Sequence, residues 1–174
     1  MDVLNHYSLP YKGLSNGHHK IDFEVKNDFF QEFENAHIDN GTFSVEIDLE
    51  KKHDHSILDF VIKGTTKSLC DRCMATIDLP IYGEHRIHVQ FGNEEGTNEE
   101  ILYIHPETST LHLAQLIYEY ISISVPMIKT YDCENETERP CNEAVLKKLN
   151  TEEQSHKQTS NPIWNTLSDL DLDN

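Results

Sequence analysis

Two cysteines, Cys70 and Cys73, stand in the stretch SLCDRCMATIDLP with only Asp71 and Arg72 between them. That spacing suits half of a metal site, a reversible disulfide, or a tight turn that does nothing further. The chain has two other cysteines, Cys133 and Cys141, separated by seven residues in a polar stretch. A structural zinc takes four tetrahedral ligands, typically delivered as two close pairs. The first pair has the usual spacing; the second is wider, with Pro140 stiffening its end. The candidate ligands are therefore Cys70, Cys73, Cys133 and Cys141, and the candidate ion is a structural zinc. Four thiolates around zinc leave a net charge of about −2. Arg72, Lys129 and Arg139, neighbours of these cysteines in sequence, would offset it.

Other chemistries find less support. A redox Cys-x-x-Cys sits where a strand runs into a helix, whose N-terminus lowers the thiol pKa, and no helical pattern follows Cys73. No His-x-Glu precedes a cysteine pair, as zinc deaminases require. Gly-x-Ser-x-Gly, P-loop and dinucleotide fingerprints are missing from the sequence. Of eleven histidines, His85 falls on the apolar face of a predicted strand, where a satisfied core histidine is expected. Carboxylates are abundant but scattered over solvent faces. Nothing here points to catalysis, and a non-enzymatic protein is expected, with thiol oxidoreductase the least favoured reading.

The elements that must position these residues follow from period. KIDFEVKN alternates Ile21, Phe23 and Val25 against charged neighbours, a half-buried strand. DFFQEFEN reads as a short helical turn with Phe29, Phe30 and Phe33 inward. GTFSVEIDLE sets Phe43, Val45, Ile47 and Leu49 on one face and carboxylates on the other. SILDFVIKGTT is apolar on both faces, as expected of a central strand. TIDLPIYGEHRIHVQF carries the longest alternation, with Gly83 a candidate bulge. The cysteine pair then lies at the tip of a hairpin, where paired thiols form a metal knuckle. ILYIH is a further short strand. LAQLIYEYI places Leu113, Leu116, Ile117, Tyr120 and Ile121 on one helical stripe, ended by Pro126. A short helix to Leu149 follows the late cysteines. The predicted fold is α+β: a bent antiparallel sheet or partly closed barrel, a main packing helix near residues 112–123, and short C-terminal helices. One domain spans 1–150, TEEQSHKQTS at 151–160 is a flexible linker, and 161–174 is a tail holding the only Trp.

Composition bounds the partners. The chain has 174 residues, 37% of them hydrophobic, and 14 basic residues face 31 acidic ones for a formal net charge of −17. That field repels phosphate, because nucleic-acid affinity comes largely from counterions released by clustered Lys and Arg. A basic protein partner suits the charge better, although direct RNA binding stays open if folding gathers scattered cations into a groove. The start, MDVLNHYSLPYKGL, lacks the cationic and apolar segments of a secretory signal, and no stretch is apolar enough to span a bilayer. A cytoplasmic protein with reduced thiols is expected.

The order of these pieces resembles the YceD family, also called large ribosomal RNA subunit accumulation protein, in its Bacteroidetes-like form. The likeness runs from LPYKGLSNGHHKIDFEV through FFQEFE, LDFVIKGT, CDRC and LAQLIYEYISISVP to NPIWNTLSDL. CDRC is its most specific piece, matching the family's Cys-x-Arg-Cys at Cys70, Arg72 and Cys73. Pro162, Trp164, Leu167 and Leu170 match the family's terminal Pro-x-Trp and spaced leucines, while Asn161 and Ile163 depart from it. Relatives in this subgroup show a histidine after the helix and a cysteine before the last helix; Cys141 matches the cysteine, and Cys133 lies near the missing histidine. The resemblance implies a ribosome-biogenesis role in accumulation of large-subunit ribosomal RNA. A ribosomal protein or assembly factor would be the partner, met by Arg72 and by a tail carrying Pro162, Trp164 and Leu167.

Overall fold

The protein is described by a computed structural model covering residues 3–34, 38, 40–92, 101–131 and 140–156. Its strands are β1 (Ser8–Leu9), β2 (Gly17–Val25), β3 (Thr42–Lys51), β4 (His55–Leu69), β5 (Thr76–Phe91), β6 (Ile101–Ile104) and β7 (Leu111–His112), and its α-helices are α1 (Asn27–Phe30), α2 (Ala114–Ser124) and α3 (Glu143–His156). By Cα proximity they divide into two compact units. One comprises Met1–Ser68 with Asp78–Ile128, and the other Leu69–Ile77 with the chain from Lys129 onward.

The larger unit is built on a five-stranded sheet ordered β2-β3-β4-β5-β6. Its faces follow from the two-residue side-chain period of a strand. On β3, Phe43, Val45, Ile47 and Leu49 are buried, while Ser44 and Glu46 are exposed. On β4, Leu58, Phe60 and Ile62 face the core, and the half-buried Ile57 and Val61 face outward. The doubly apolar pattern thus marks a central strand, as its sequence predicts.

The sheet is mixed rather than antiparallel. β6 runs parallel to β5, from His88 opposite Ile101 to Phe91 opposite Ile104. A four-residue apolar run has no directional signal of its own, so its pairing sense is decided by tertiary placement. Nor do the described strands form a closed barrel. The strand order begins at β2 and ends at β6 without joining them, and a barrel requires its edge strands to pair.

α2 lies on the inner face through Ala114, Ile117 and Ile121, all buried. Tyr120 meets Phe60 edge-on at 4.9 Å and stacks on His85 at 4.6 Å. The helix stops where Pro126 disfavours helical backbone at Val125, which is extended. Gly83 on β5 answers to this packing: a Cβ there would meet Ser124 Oγ at 2.0 Å. The glycine expected as a bulge is the point where the end of α2 presses on the strand.

Phe29, Phe30 and Phe33 lie inward as the sequence suggests, and Phe33 stacks on Tyr118 of α2 at 4.2 Å. A second, two-stranded sheet of β1 and β7 pairs Ser8 with His112 and Leu9 with Leu111. Pairs this short leave no periodic trace in the sequence. The Tyr11–Gly13 turn beside it is held by Lys51, whose Nζ donates to Tyr11 O at 2.6 Å and Leu14 O at 2.8 Å, while the Tyr11 and Ser56 hydroxyls share a 2.7 Å hydrogen bond.

In the smaller unit, α3 is capped by Asn142, whose Oδ1 accepts the Val145 amide at 3.4 Å and whose carbonyl accepts the Leu146 amide at 3.1 Å. Glu143 in the first turn suits the helix dipole. The helix continues to His156, across the first six residues of the predicted linker. A polar sequence without large apolar residues does not exclude helix, because Glu, Gln and Lys are good helix formers. The tail at 161–174 lies outside the described residues.

Candidate functional site

The β4–β5 hairpin turns at the cysteine pair. The Cys70 amide donates to the Ala75 carbonyl and the Met74 amide to the Cys70 carbonyl, both at 2.8 Å. Met74 takes a left-handed conformation, φ 59°, which lets the tip close in so few residues. Cys70 and Cys73 are free thiols and both are buried, at 1% and 0% exposure. Both thiols are thus buried although they sit at the very end of a hairpin.

A reciprocal pair of hydrogen bonds holds the tip. The Asp71 amide donates to the Lys129 carbonyl at 2.8 Å, and the Asp71 carboxylate accepts the Lys129 amide at 2.6 Å. The tip is thereby tied to the segment that leads toward the late cysteines, within the same compact unit.

The surroundings of Cys70 lower its pKa on balance. Burial pushes its pKa up, but the backbone amides of Cys73 and Arg72 and the Cys73 thiol hydrogen-bond the sulfur and bring the value below the ordinary one, against the charge of Asp71. Amides aimed at a sulfur are what a metal-ligating thiolate needs, since the ligand form is the deprotonated one. Arg72 contributes through its amide, and its side chain is exposed.

Of the four expected ligands, these two are brought together. Cys141 is half-buried and disulfide-bonded, and in that form its sulfur is not a thiolate ligand. Cys133 lies outside the described residues, as do Pro162, Trp164 and Leu167. Among the described residues, no group of three or more His, Cys, Asp or Glu is gathered closely enough to hold a metal ion. Cys70 and Cys73 fit half of a tetrahedral thiolate site.

His85 is the other chemically notable side chain. It is half-buried, and its Nε2 lies 2.8 Å from Ser124 Oγ. The Ser124 hydroxyl donates to the Tyr120 carbonyl at 2.6 Å, so the imidazole N–H donates to the serine oxygen. A nucleophile and its base need the opposite proton direction. Burial pushes the His85 pKa down, with the Tyr120 carbonyl acting the other way. The pair serves as a packed polar contact between β5 and α2, as the sequence position of His85 suggests.

Among the described residues no helix is long and apolar enough to cross a membrane. No curated protein and no solved structure matches the chain. One family model does, YceD, described as large ribosomal RNA subunit accumulation protein. It matches residues 58–171, well over half of the 174, a span that begins in β4 and includes all four cysteines and Trp164. The chain belongs to the YceD family.

Proposed function

We propose that this chain is a non-enzymatic ribosome-biogenesis factor that supports accumulation of large-subunit ribosomal RNA in the cytoplasm by handling protein partners. The family match over residues 58–171 carries this reading. The partner class is supported by charge: 31 acidic residues against 14 basic ones attract a basic ribosomal protein and repel phosphate. In this reading Cys70 and Cys73, joined by Cys133 and by Cys141 in its reduced form, hold a structural zinc. The ion would cross-link two remote pieces of backbone. The exposed Arg72 beside it and the tail with Pro162, Trp164 and Leu167 would then be points of contact, the tail adding avidity without much affinity of its own.

The test is removal of the gene product from cells, with large- and small-subunit ribosomal RNA quantified together. A fall in the large-subunit share supports the role, and an unchanged ratio overturns it. Binding of purified protein to ribosomal RNA across a salt series separates the mechanisms. Absence of binding even at low salt supports protein partners, whereas tight binding lost steeply with salt identifies an RNA binder instead.

A further inference from the structure

The outward face of the five-stranded sheet is charged in a way that opposes its own stability. In the strand registers, Asp22 on β2 stands directly opposite Glu46 on β3, and Asp48 on β3 directly opposite Asp59 on β4. Like charges directly opposite in neighbouring strands are destabilising. Some relief is built in. Arg86 grips Asp59 with bonds of 2.6 and 3.0 Å, Lys63 reaches Glu46 at 3.6 Å, Lys20 stands opposite Asp48, His18 Nδ1 lies 3.2 Å from Asp48 Oδ1, and the Tyr82 hydroxyl donates to Glu84. Among the described residues no ion pair reaches Asp22 or Glu84.

The same face is hollowed. One depression of about 390 Å³ is bordered by Asp59, Val61, Glu84 and Arg86, and a second of about 210 Å³ by Asp22, Glu46, Asp48 and Val61. Val61, half-buried and apolar, is common to both. The two linings hold five carboxylates and two cations, and Lys63, paired with Glu46, adds a third cation. Ile57, four residues before Val61 on β4, is a second half-buried apolar residue on this face. The arrangement runs across four neighbouring strands, from Asp22 on β2 to Glu84 on β5, or about 14 Å at the usual strand spacing.

We propose that this face docks a short Lys/Arg-rich segment of a protein partner, its cations set between the opposed carboxylates and its side-chain stems lying on Val61 and Ile57. The proposal rests on the reading that the chain handles basic proteins, and it assigns that activity to a surface. Charge complementarity selects the occupant: the excess of carboxylates attracts cations, and the apolar floor suits the methylene stems of Lys and Arg. A bound cationic segment would relieve the repulsion that the empty face carries. Nucleic acid has the wrong sign for this surface.

The full-length chain should be titrated with a fluorescein-labelled peptide of about a dozen residues in which Lys or Arg alternates with Val. Tight binding at low salt is expected, falling about tenfold or more in an Asp22→Asn, Asp48→Asn, Glu84→Gln triple variant. Because that variant removes opposed like charges, its thermal midpoint should hold or rise, which separates lost binding from lost folding. A second triple variant, Glu32→Gln, Glu107→Gln, Glu119→Gln, lowers the net charge equally at exposed residues that line neither depression and should bind as wild type does. Equal weakening in the two variants overturns the proposal, since the peptide then senses only net charge. So does unchanged affinity in the first variant, or an RNA oligonucleotide that binds more tightly than the peptide and is released by the same three substitutions. Ribosomal RNA ratios after removal of the gene product bear on the role alone, and the two triple variants on the face alone, so the two failures are distinguishable.

Discussion

Asp71 and Lys129, 58 residues apart in sequence, hydrogen-bond each other twice: amide to carbonyl at 2.8 Å, and carboxylate to amide at 2.6 Å. The contact joins the cysteine hairpin tip to the segment after α2 using groups the backbone supplies at every residue, plus one aspartate side chain.

Asp71→Ala should therefore loosen the tip. The expected cost is about 1 kcal/mol of stability, typical of one hydrogen bond exchanged for water. Cys70 and Cys73 should also react faster with a thiol reagent, read as the labelling rate in the native protein. Asp71→Asn keeps an acceptor and should recover most of the protection. Equal labelling rates in wild type and Asp71→Ala would show that something else roofs the thiols.

The zinc proposal has a direct measure. Protein purified under reducing conditions without chelator should contain about one equivalent of zinc, and Cys70→Ser should contain little. Chelation should lower the thermal midpoint of wild type and leave that of Cys70→Ser where it was. Less than about half an equivalent in wild type, or undiminished zinc in the variant, sinks the assignment.

His85 makes stability depend on pH with a definite sign. Burial lowers its pKa in the folded chain, so the unfolded chain binds the proton more readily. Stability from this residue is fully present above the ordinary histidine value of about 6.5 and is lost as pH falls below it. Between pH 7.5 and pH 5.5, wild type should lose more thermal stability than His85→Phe, which keeps a ring against Tyr120 and has no proton to bind. Identical losses would show that other histidines set the slope.

Gly83→Ala tests the seat of α2 on β5. The new methyl would fall 2.0 Å from Ser124 Oγ and 2.9 Å from Ser124 Cβ, an overlap that forces the helix end to shift. Overpacking of this kind typically costs about 1–3 kcal/mol, read by chemical denaturation. Ser124→Ala should restore only part of it, because the serine Cβ remains in the way. A neutral Gly83→Ala would place the slack in the helix end rather than the strand.

How much of this was legible in advance differs from element to element. β5 matches its sequence run from Thr76 to Phe91, because alternation over sixteen residues leaves one face to bury and one to expose. The central place of β4 followed from its apolar residues on both faces. β1 and β7 left no signal, being two residues each. The helical stretch 151–156 was missed because a polar composition suits a solvated helix as well as it suits a linker.

At the cysteines the division is equally clear. Spacing alone identified Cys70 and Cys73 as a pair at a turn, since two intervening residues bring neighbouring thiols together in any tight reversal. Only the tertiary structure decided that Lys129 meets Asp71, that the thiols are buried, and that amides of Arg72 and Cys73 favour the Cys70 thiolate. On the sheet, sequence told which residues point outward, while register decided that Asp22 faces Glu46 and Asp48 faces Asp59. Local period is a property of each strand by itself, and it fixes the face of every side chain. Which side chains meet across the gap depends on how separate strands align, which no single segment encodes.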